Sequence, residues 1–334
     1  MDKKILLAHG SGGTLMHDLI KGLLLKELNN PVLKELADSA CLRFKERLAF
    51  TTDSFVVSPL FFPGGDIGKL SVCGTINDLV MSGAKPEYLS LALIIEEGLD
   101  YRVLEKIVRS IALTAKKSGV QIAAGDLKVV EKGACDKIFI NTAGVGRIIT
   151  KKKISLAGIS CGDKVIITGE IGQHGFSVLT KRKELSLGFN IASDCAALDK
   201  LILPIAQKNL GIKFMRDPTR GGLATTLNEI AQGSGLGIRV NEKNIPLSAK
   251  VRAAGELLGI DPLYAACEGR AIIIAEKSNA KKILASLRKH ALGRRARIIG
   301  EVTKTSKGRV VLRTILGTER LIDMLTSAPL PRIC

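Results

Sequence analysis

The chain contains no tryptophan and few other aromatic residues, three Tyr and nine Phe among 334 residues. Interleaved stacking residues are therefore missing, and no nucleic-acid surface is expected despite a formal net charge of +18. The charge reads instead as solvated surface, with attraction to an acidic partner or a polyphosphate as its other use. No apolar run reaches membrane-spanning length and the start lacks the pattern of a leader, so no membrane role is expected and the expected location is cytoplasmic. The seven cysteines (41, 73, 135, 161, 195, 267, 334) include no Cys-x-x-Cys, which argues against a zinc knuckle and a disulfide framework. Six stand among apolar neighbours and are expected in cores, whereas Cys334, the last residue, is placed to react.

Acidic residues are also scarce, 32 against 50 Lys plus Arg. Their placement therefore carries weight. Several fall at expected loops or element ends, often beside glycine: Asp53, Asp66 in Gly64-Gly65-Asp66-Ile67-Gly68-Lys69, Asp78 after Asn77, Asp126 after Gly125, and Asp217 before Pro218. Carboxylates facing one cleft repel, so a cluster of them invites a divalent cation, and oxygen-only ligands favour Mg²⁺ with a polyphosphate completing the shell. The stretch from Asp217 to Gly222 reads as a helix start capped by Asp217, with Gly221 and Gly222 letting a phosphate approach backbone N–H groups. Each aspartate alone is better explained by capping or turn closure, where Asp is favoured regardless of function. The combination points to a Mg-polyphosphate enzyme. Neither the 64–70 stretch nor the glycines at 233–237 fits a known nucleotide fingerprint in spacing or order.

Periodicity predicts a helix over Leu15, Leu19, Leu23 and Leu24 after the glycine-rich 9–13 loop, a strand over 48–57 and a helix from Ile67 to Gly83. A strand over 88–95, a helix over 101–117 capped by Asp100, a strand over 120–124 that stops at Gly125, and a strand over 137–149 follow. Lys151-Lys152-Lys153 marks a domain boundary, after which the alternation restarts and runs to a short helix over 319–325. Alternating strands and helices argue for two α/β domains. Pro329 and Pro331 favour an extended arm, at ~3.1 Å per residue long enough to carry Cys334 between pockets.

Several of these stretches together closely resemble the HypE family, the carbamoyl dehydratases of nickel–iron hydrogenase maturation, in the superfamily of aminoimidazole ribonucleotide synthetase and selenophosphate synthetase. They are HGSGG at 9–13, TTDSFVVSPLFFPGGDIGKLSVCGTINDL at 51–79, GDLK at 125–128, FINTAGVG at 139–146, MRDPTRGGLA at 215–224, EG at 268–269 and PRIC at 331–334. The third residue of the family's usual GDTK is Leu127 here.

The resemblance implies an α/β (α+β) two-domain fold of the aminoimidazole-ribonucleotide-synthetase kind. An N-terminal domain (1–150) would bind ATP and pair its sheet across a homodimer, followed by a C-terminal α/β domain (151–325) and a mobile tail (326–334) carrying Cys334. ATP contacts would come from His9, Gly10, Gly12, Gly13, Asp53, Asp66, Lys69, Asn77, Asp78, Gly125, Asp126, Thr219, Gly221 and Gly222, and Mg²⁺ would be held by Asp53, Asp78 and Asp217. A HypF-type carbamoyltransferase would load Cys334, and ATP would then phosphorylate the carbamoyl oxygen. Glu268 or Lys128 would take the protons from nitrogen as phosphate leaves, giving a thiocyanate for an iron-carrying HypC–HypD type complex. His17 is a further titratable candidate, and His174 beside Gly175 reads as orienting a loop.

Two rivals within the superfamily fit less well. Selenophosphate synthetase needs a reactive cysteine or selenocysteine in the glycine-rich start, and the first cysteine here is Cys41. Aminoimidazole ribonucleotide synthesis has no use for a terminal thiol. A non-catalytic nucleotide-sensing scaffold would not couple ATP hydrolysis to Cys334.

Overall fold

The computed structural model describes residues 4–10, 14–33, 44–182 and 189–324. Gly12, Gly13, Cys41 and residues 326–334, Cys334 included, lie outside them. Leucines at helical spacing give α1 (Thr14–Leu19) and α2 (Leu25–Leu28), joined by a π-type turn and anchored by Leu19, Leu23 and Leu28. Then come β1 (Leu48–Phe55), the short ribbon β2 (Phe61–Phe62) and β3 (Gly65–Asp66), and α3 (Ile67–Met81). The first half closes with β4 (Ala84–Glu96), α4 (Tyr101–Ser118), β5 (Gln121–Val130) and β6 (Ile138–Ile148).

Four strands form one sheet in the order β1-β6-β4-β5, antiparallel except for the β4/β5 pair. Helix α3 lies on its β1 and β6 side and is covered by α4, so almost all of its residues are buried. Two glycines permit the approach: a Cβ on Gly68 would stand 2.5 Å from the Ile107 carbonyl oxygen, and one on Gly74 2.8 Å from the Phe55 ring. Asp100 caps α4 and Gly119, left-handed at φ 69°, ends it. On the sheet's other face Phe50 is exposed.

The second half supplies β7 (Lys164–Ile167), α5 (Gln173–Arg182), α6 (Asp199–Ala206), β8 (Ile212–Arg216), α7 (Gly222–Ser234), β9 (Gly237–Asn241) and α8 (Ala249–Leu258). It continues with β10 (Ile272–Ala275), α9 (Ala280–Arg288), β11 (Arg297–Thr303), β12 (Val310–Arg313) and β13 (Glu319–Ile322). Seven of its strands make a sheet ordered β13-β12-β9-β11-β7-β10-β8, antiparallel at every step except β12/β9. No described helix is long and apolar enough to cross a membrane.

Four expectations change. The strand expected to stop at Gly125 continues through it, because a residue without a side chain lets the strand lie against the Leu91 carbonyl, 2.9 Å from where a Cβ would be. The helix expected over 319–325 is strand β13 as far as Ile322, since pairing with β12 overrides local preference. Asp217 does not cap a helix: α7 opens at Gly222 with Gly221 as its N-cap and no side-chain cap. Cysteines 73, 195 and 267 are buried as expected, but Cys161 is exposed and Cys135 half-buried.

The two halves are tied by the loop over 189–198, between α5 and α6, and by α6 itself against α3. Asn77 on α3 is the main clamp. Its amide donates to the carbonyls of Ala196 (3.1 Å) and Glu268 (3.3 Å), and its oxygen accepts the Leu198 N–H at 2.8 Å. Asn77→Ala leaves the Ala196 carbonyl and the Leu198 N–H without their partner, whereas the Glu268 carbonyl keeps the Ala196 N–H at 3.4 Å, and each group left unpaired costs about 1–3 kcal/mol. A lower urea midpoint with an unchanged slope is the expected result.

Candidate active site

Strand β1 ends beside the start of α7, and a cleft of about 440 Å³ between them is lined by Asp53, Asp78, Arg216, Asp217, Thr219, Arg220, Glu229 and Glu268 among others. It therefore draws on both halves of the chain. Asp53 is carried by β1, and Arg220 approaches its carboxylate at 3.5 Å. Asp78, near the end of α3, accepts the Thr51 hydroxyl at 2.8 Å. Asp217 follows the end of β8, and Arg216 before it pairs with Glu229 along the cleft at 3.1 Å.

Glu268 is buried and its peptide is gripped from three directions. Asp194, wholly buried, accepts the N–H groups of Glu268 (3.4 Å) and Gly269 (3.2 Å), while Asn77 donates to the Glu268 carbonyl. Arg270 holds Asp194 in turn, at 3.6 Å.

Burial raises every carboxyl of the cluster, and like charge adds to it at Asp53, Asp217 and Glu268. Burial first, then the Asp78 charge, raises the Asp53 carboxyl against the pull of Arg220. Burial also raises Asp78, opposed by the Thr51 hydroxyl, Arg216 and Arg220. Asp217 is pushed up to about 7 by burial and then by Asp78 and Asp53. Burial, followed by Asp217, Asp194 and Asp53, lifts Glu268 well above the usual carboxylate range. Such a set suits a divalent cation, because neutralising positive charge would let all four ionise. Among the described residues no three acidic, His or Cys side chains converge on one metal-sized point. An ion here would share these carboxylates with phosphate oxygens and water.

Other expected site residues lie elsewhere. Asp66 spends one oxygen capping α3, through the N–H groups of Gly68 and Lys69, and the other on the Ser110 hydroxyl at 2.6 Å. Lys69 donates to the Gly64 carbonyl at 2.8 Å. His9 is buried in a helical turn over Leu7–Gly10, its Nδ1 accepting the Leu6 N–H at 3.0 Å. Gly125, Asp126 and Lys128 lie on β5, at the opposite edge of the sheet from Asp53. Three strand spacings put that edge about 14 Å away. Asp126 and Lys128 form an exposed ion pair at 3.8 Å, whereas Leu127 between them is buried in the core and faces away from both. His174 orients the 189–198 loop as expected, with Nδ1 2.8 Å from the Ser193 hydroxyl. His17 lies on α1.

Reading the sequence missed Thr51, Arg216, Arg220, Glu229, Asp194 and Arg270. The two arginines stood inside the MRDPTRGG stretch, where a cation on each side of an aspartate was a usable signal. Asp194 gave none, because only the tertiary fold brings it under residue 268.

Residues 36–148 match the AIR synthase related protein N-terminal domain, and residues 161–313 match the corresponding C-terminal domain. The chain is 44% identical over 336 residues to the carbamoyl dehydratase HypE of Rhodobacter capsulatus, covering 100% of this chain and 99% of that protein. A crystal structure of the hydrogenase maturation protein HypE in complex with ATP superposes with a TM-score of 0.95 at 44% identity, covering 99% and 100% of the two chains. A crystal structure of a HypE–HypF complex matches with a TM-score of 0.81 at 45% identity, over 94% and 100%.

Proposed function

Since the chain belongs to the HypE family, within the AIR synthase related proteins, we propose that it is an ATP-dependent carbamoyl dehydratase of hydrogenase maturation whose chemistry runs in the cleft of Asp53, Asp78, Asp217 and Glu268. The observation that carries this reading is that cleft, where four carboxyls with raised pKa values meet the uncapped start of α7. The substrate is a carbamoyl group carried on the sulfur of Cys334, in the 326–334 tail. Its oxygen attacks the γ-phosphate of ATP and ADP departs. Phosphate then leaves with that oxygen as the two N–H protons are removed, and an S–C≡N group stays on Cys334.

The turn into α7 supplies N–H donors at Thr219 and Gly221 for phosphate oxygens, while the Gly222 N–H closes that turn on the Thr219 carbonyl at 3.2 Å and no side chain caps the helix. Arg220, exposed over the cleft, adds positive charge on the same side. Glu268 takes a nitrogen proton, because burial lifts its carboxyl well above the usual range and so makes it a stronger base, and Asp194 and Asn77 fix its backbone. Mg²⁺, held by Asp53, Asp78 and Asp217, would neutralise the phosphates.

A second copy covers the face of the first sheet on which Phe50 stands exposed. That arrangement gives Asp126 and Lys128, remote from Asp53 within one subunit, a route to the nucleotide of the other. A HypF-type carbamoyltransferase loads the thiol, a HypC–HypD type complex takes the cyanide, and all of this occurs in the cytoplasm. The division at residue 150 separates the dimerising half from the 151–325 half.

Intact mass after incubation with carbamoyltransferase, carbamoyl phosphate and ATP tests the assignment. The wild type should gain a carbamoyl mass on its last peptide and then lose one water with Mg-ATP, and Cys334→Ala should gain nothing. A wild type left unmodified by an active transferase would remove the reading.

A further inference from the structure

The short turn Glu268-Gly269-Arg270 stands just before β10. Among the described residues no hydrogen bond holds the Glu268 carboxyl itself, so its place in the cleft is set by the backbone that carries it. All four backbone polar groups of Glu268 and Gly269 are claimed. Asp194 accepts the two N–H groups, one on each carboxylate oxygen, and the Glu268 carbonyl takes Asn77 and the Ala196 N–H. The fourth group, the Gly269 carbonyl, accepts Nη1 of Arg270 at 3.0 Å. Only glycine fits at 269, because a Cβ there would stand 1.9 Å from the Asp194 carbonyl oxygen.

Arg270 spends the rest of its guanidinium on two other parts of the chain. Its Nε donates to the Glu170 carbonyl at 2.9 Å and lies 3.6 Å from the Asp194 carboxylate, and its Nη2 donates to the Gln173 side-chain oxygen at 2.8 Å. Gly169 makes room for it, since a Cβ on that residue would stand 2.7 Å from Nε. The Asp194 side chain is wholly buried, and among the described residues Arg270 is the cation within ion-pair distance of it. A buried carboxylate without such a partner is costly. One planar fork thus ties together the 169–173 stretch, the 189–198 loop and the Glu268 turn, a geometry that a lysine head cannot reproduce. Glu268 lines the cleft, whereas Arg270, Asp194 and Gln173 do not, so Arg270 reaches the chemistry only through Glu268.

We propose that Arg270 is a positioning residue for the dehydration step, fixing the Glu268 turn, and with it the carboxyl that takes the nitrogen proton, by clamping Asp194, Gly269 and the 169–173 stretch together. This role presupposes the functional reading above, in which Glu268 is the base. Its test is single-turnover dehydration of the full chain already carrying a carbamoyl group on Cys334, followed by mass of the last peptide over a range of Mg-ATP concentrations. The proteins compared are wild type, Arg270→Gln, Arg270→Lys, Glu268→Gln and the double variant Glu268→Gln/Arg270→Gln.

Arg270→Gln should lower the maximal rate by about 10–10²-fold, as misplacing a reacting group by about 1 Å does, with the half-saturating ATP concentration within about twofold of wild type. Arg270→Lys keeps a charge beside Asp194 and loses the fork, so it should melt close to wild type and still dehydrate about tenfold slower. That variant carries the test if Arg270→Gln does not fold. In the Glu268→Gln background the Arg270 substitution should add less than about twofold, because the group it positions is already gone. Wild-type rates in the Arg270 variants overturn the proposal. So does a double variant slowed by the full product of the two single effects, which would make Arg270 a general structural residue. Two further outcomes concern proteins in which Arg270 is intact. Dehydration at the wild-type rate in Glu268→Gln removes the base and its positioning residue together, and a loaded wild type that never loses water in Mg-ATP defeats the dehydratase reading.

Discussion

Glu268→Gln should slow dehydration of preloaded Cys334 by about 10²–10⁴-fold while leaving loading and ATP binding in place. The substitution keeps the shape of a buried side chain. The peptide of residue 268 stays gripped by Asp194 and Asn77, which bond only its backbone. What disappears is the ability to take a proton. In the wild type Glu268 is raised by burial and by Asp217, Asp194 and Asp53, so the single-turnover rate should climb with pH as the carboxyl ionises. The variant should lose that limb of the profile. Rapid-quench mass spectrometry of the last peptide at several pH values reads both effects, and dehydration at the wild-type rate in Glu268→Gln would assign the base elsewhere.

Asp217→Asn should stabilise the free protein and abolish turnover. Asp217 is raised from 3.8 to about 7, so between those values the folded protein holds a proton that the unfolded chain has released. The contribution is fully present below the unfolded value and is lost as pH rises toward 7. Above that pH the wild type carries a half-buried charge facing Asp78 and Asp53, a cost with a ceiling of about 4 kcal/mol. Asparagine carries no charge. The variant should melt several degrees above wild type at pH 8 and close to it at pH 4, in the absence of nucleotide and divalent ions. Added Mg-ATP should raise the melting temperature of the wild type, more at pH 8 than at pH 6, and that of the variant little. A variant that melts below wild type at pH 8 would mean that Asp217 is a structural partner and not a strained one.

Much of the fold was legible because local chemistry and tertiary need agreed. Asp100 and Gly119 bracket α4 as their residue types predict, and the leucines of α1 and α2 are spaced for the face they bury. Disagreement arose where a long-range contact overrode local signals. Gly125 reads as a terminator, yet it is a spacer that lets β5 lie on β4. Residues 319–322 have no strong strand pattern and become a strand because β12 offers its edge.

The candidate site follows the same division. Asp53, Asp78, Asp217 and Glu268 do meet; the three aspartates stood in stretches whose composition marked them, and Glu268 was implied by the resemblance alone. Asp66 and Lys69 stood in an equally marked stretch and serve the first turn of α3 and the Gly64 carbonyl. A glycine-flanked aspartate looks alike in sequence whether it caps a helix or faces a cleft. Only the fold tells which oxygens remain free.

Helix α3 also has a history during synthesis. The sheet and α4 on one side of it are encoded by the first half of the chain, but α6 and the loop that Asn77 clasps are encoded beyond residue 189. On the ribosome, domains form from the N-terminus onward. Cys73, Ile76 and Asn77, all buried in the finished protein, therefore wait in water for their cover while the intervening chain is still being translated. That side of α3 gains its cover only when the 189–198 loop and α6 have been made.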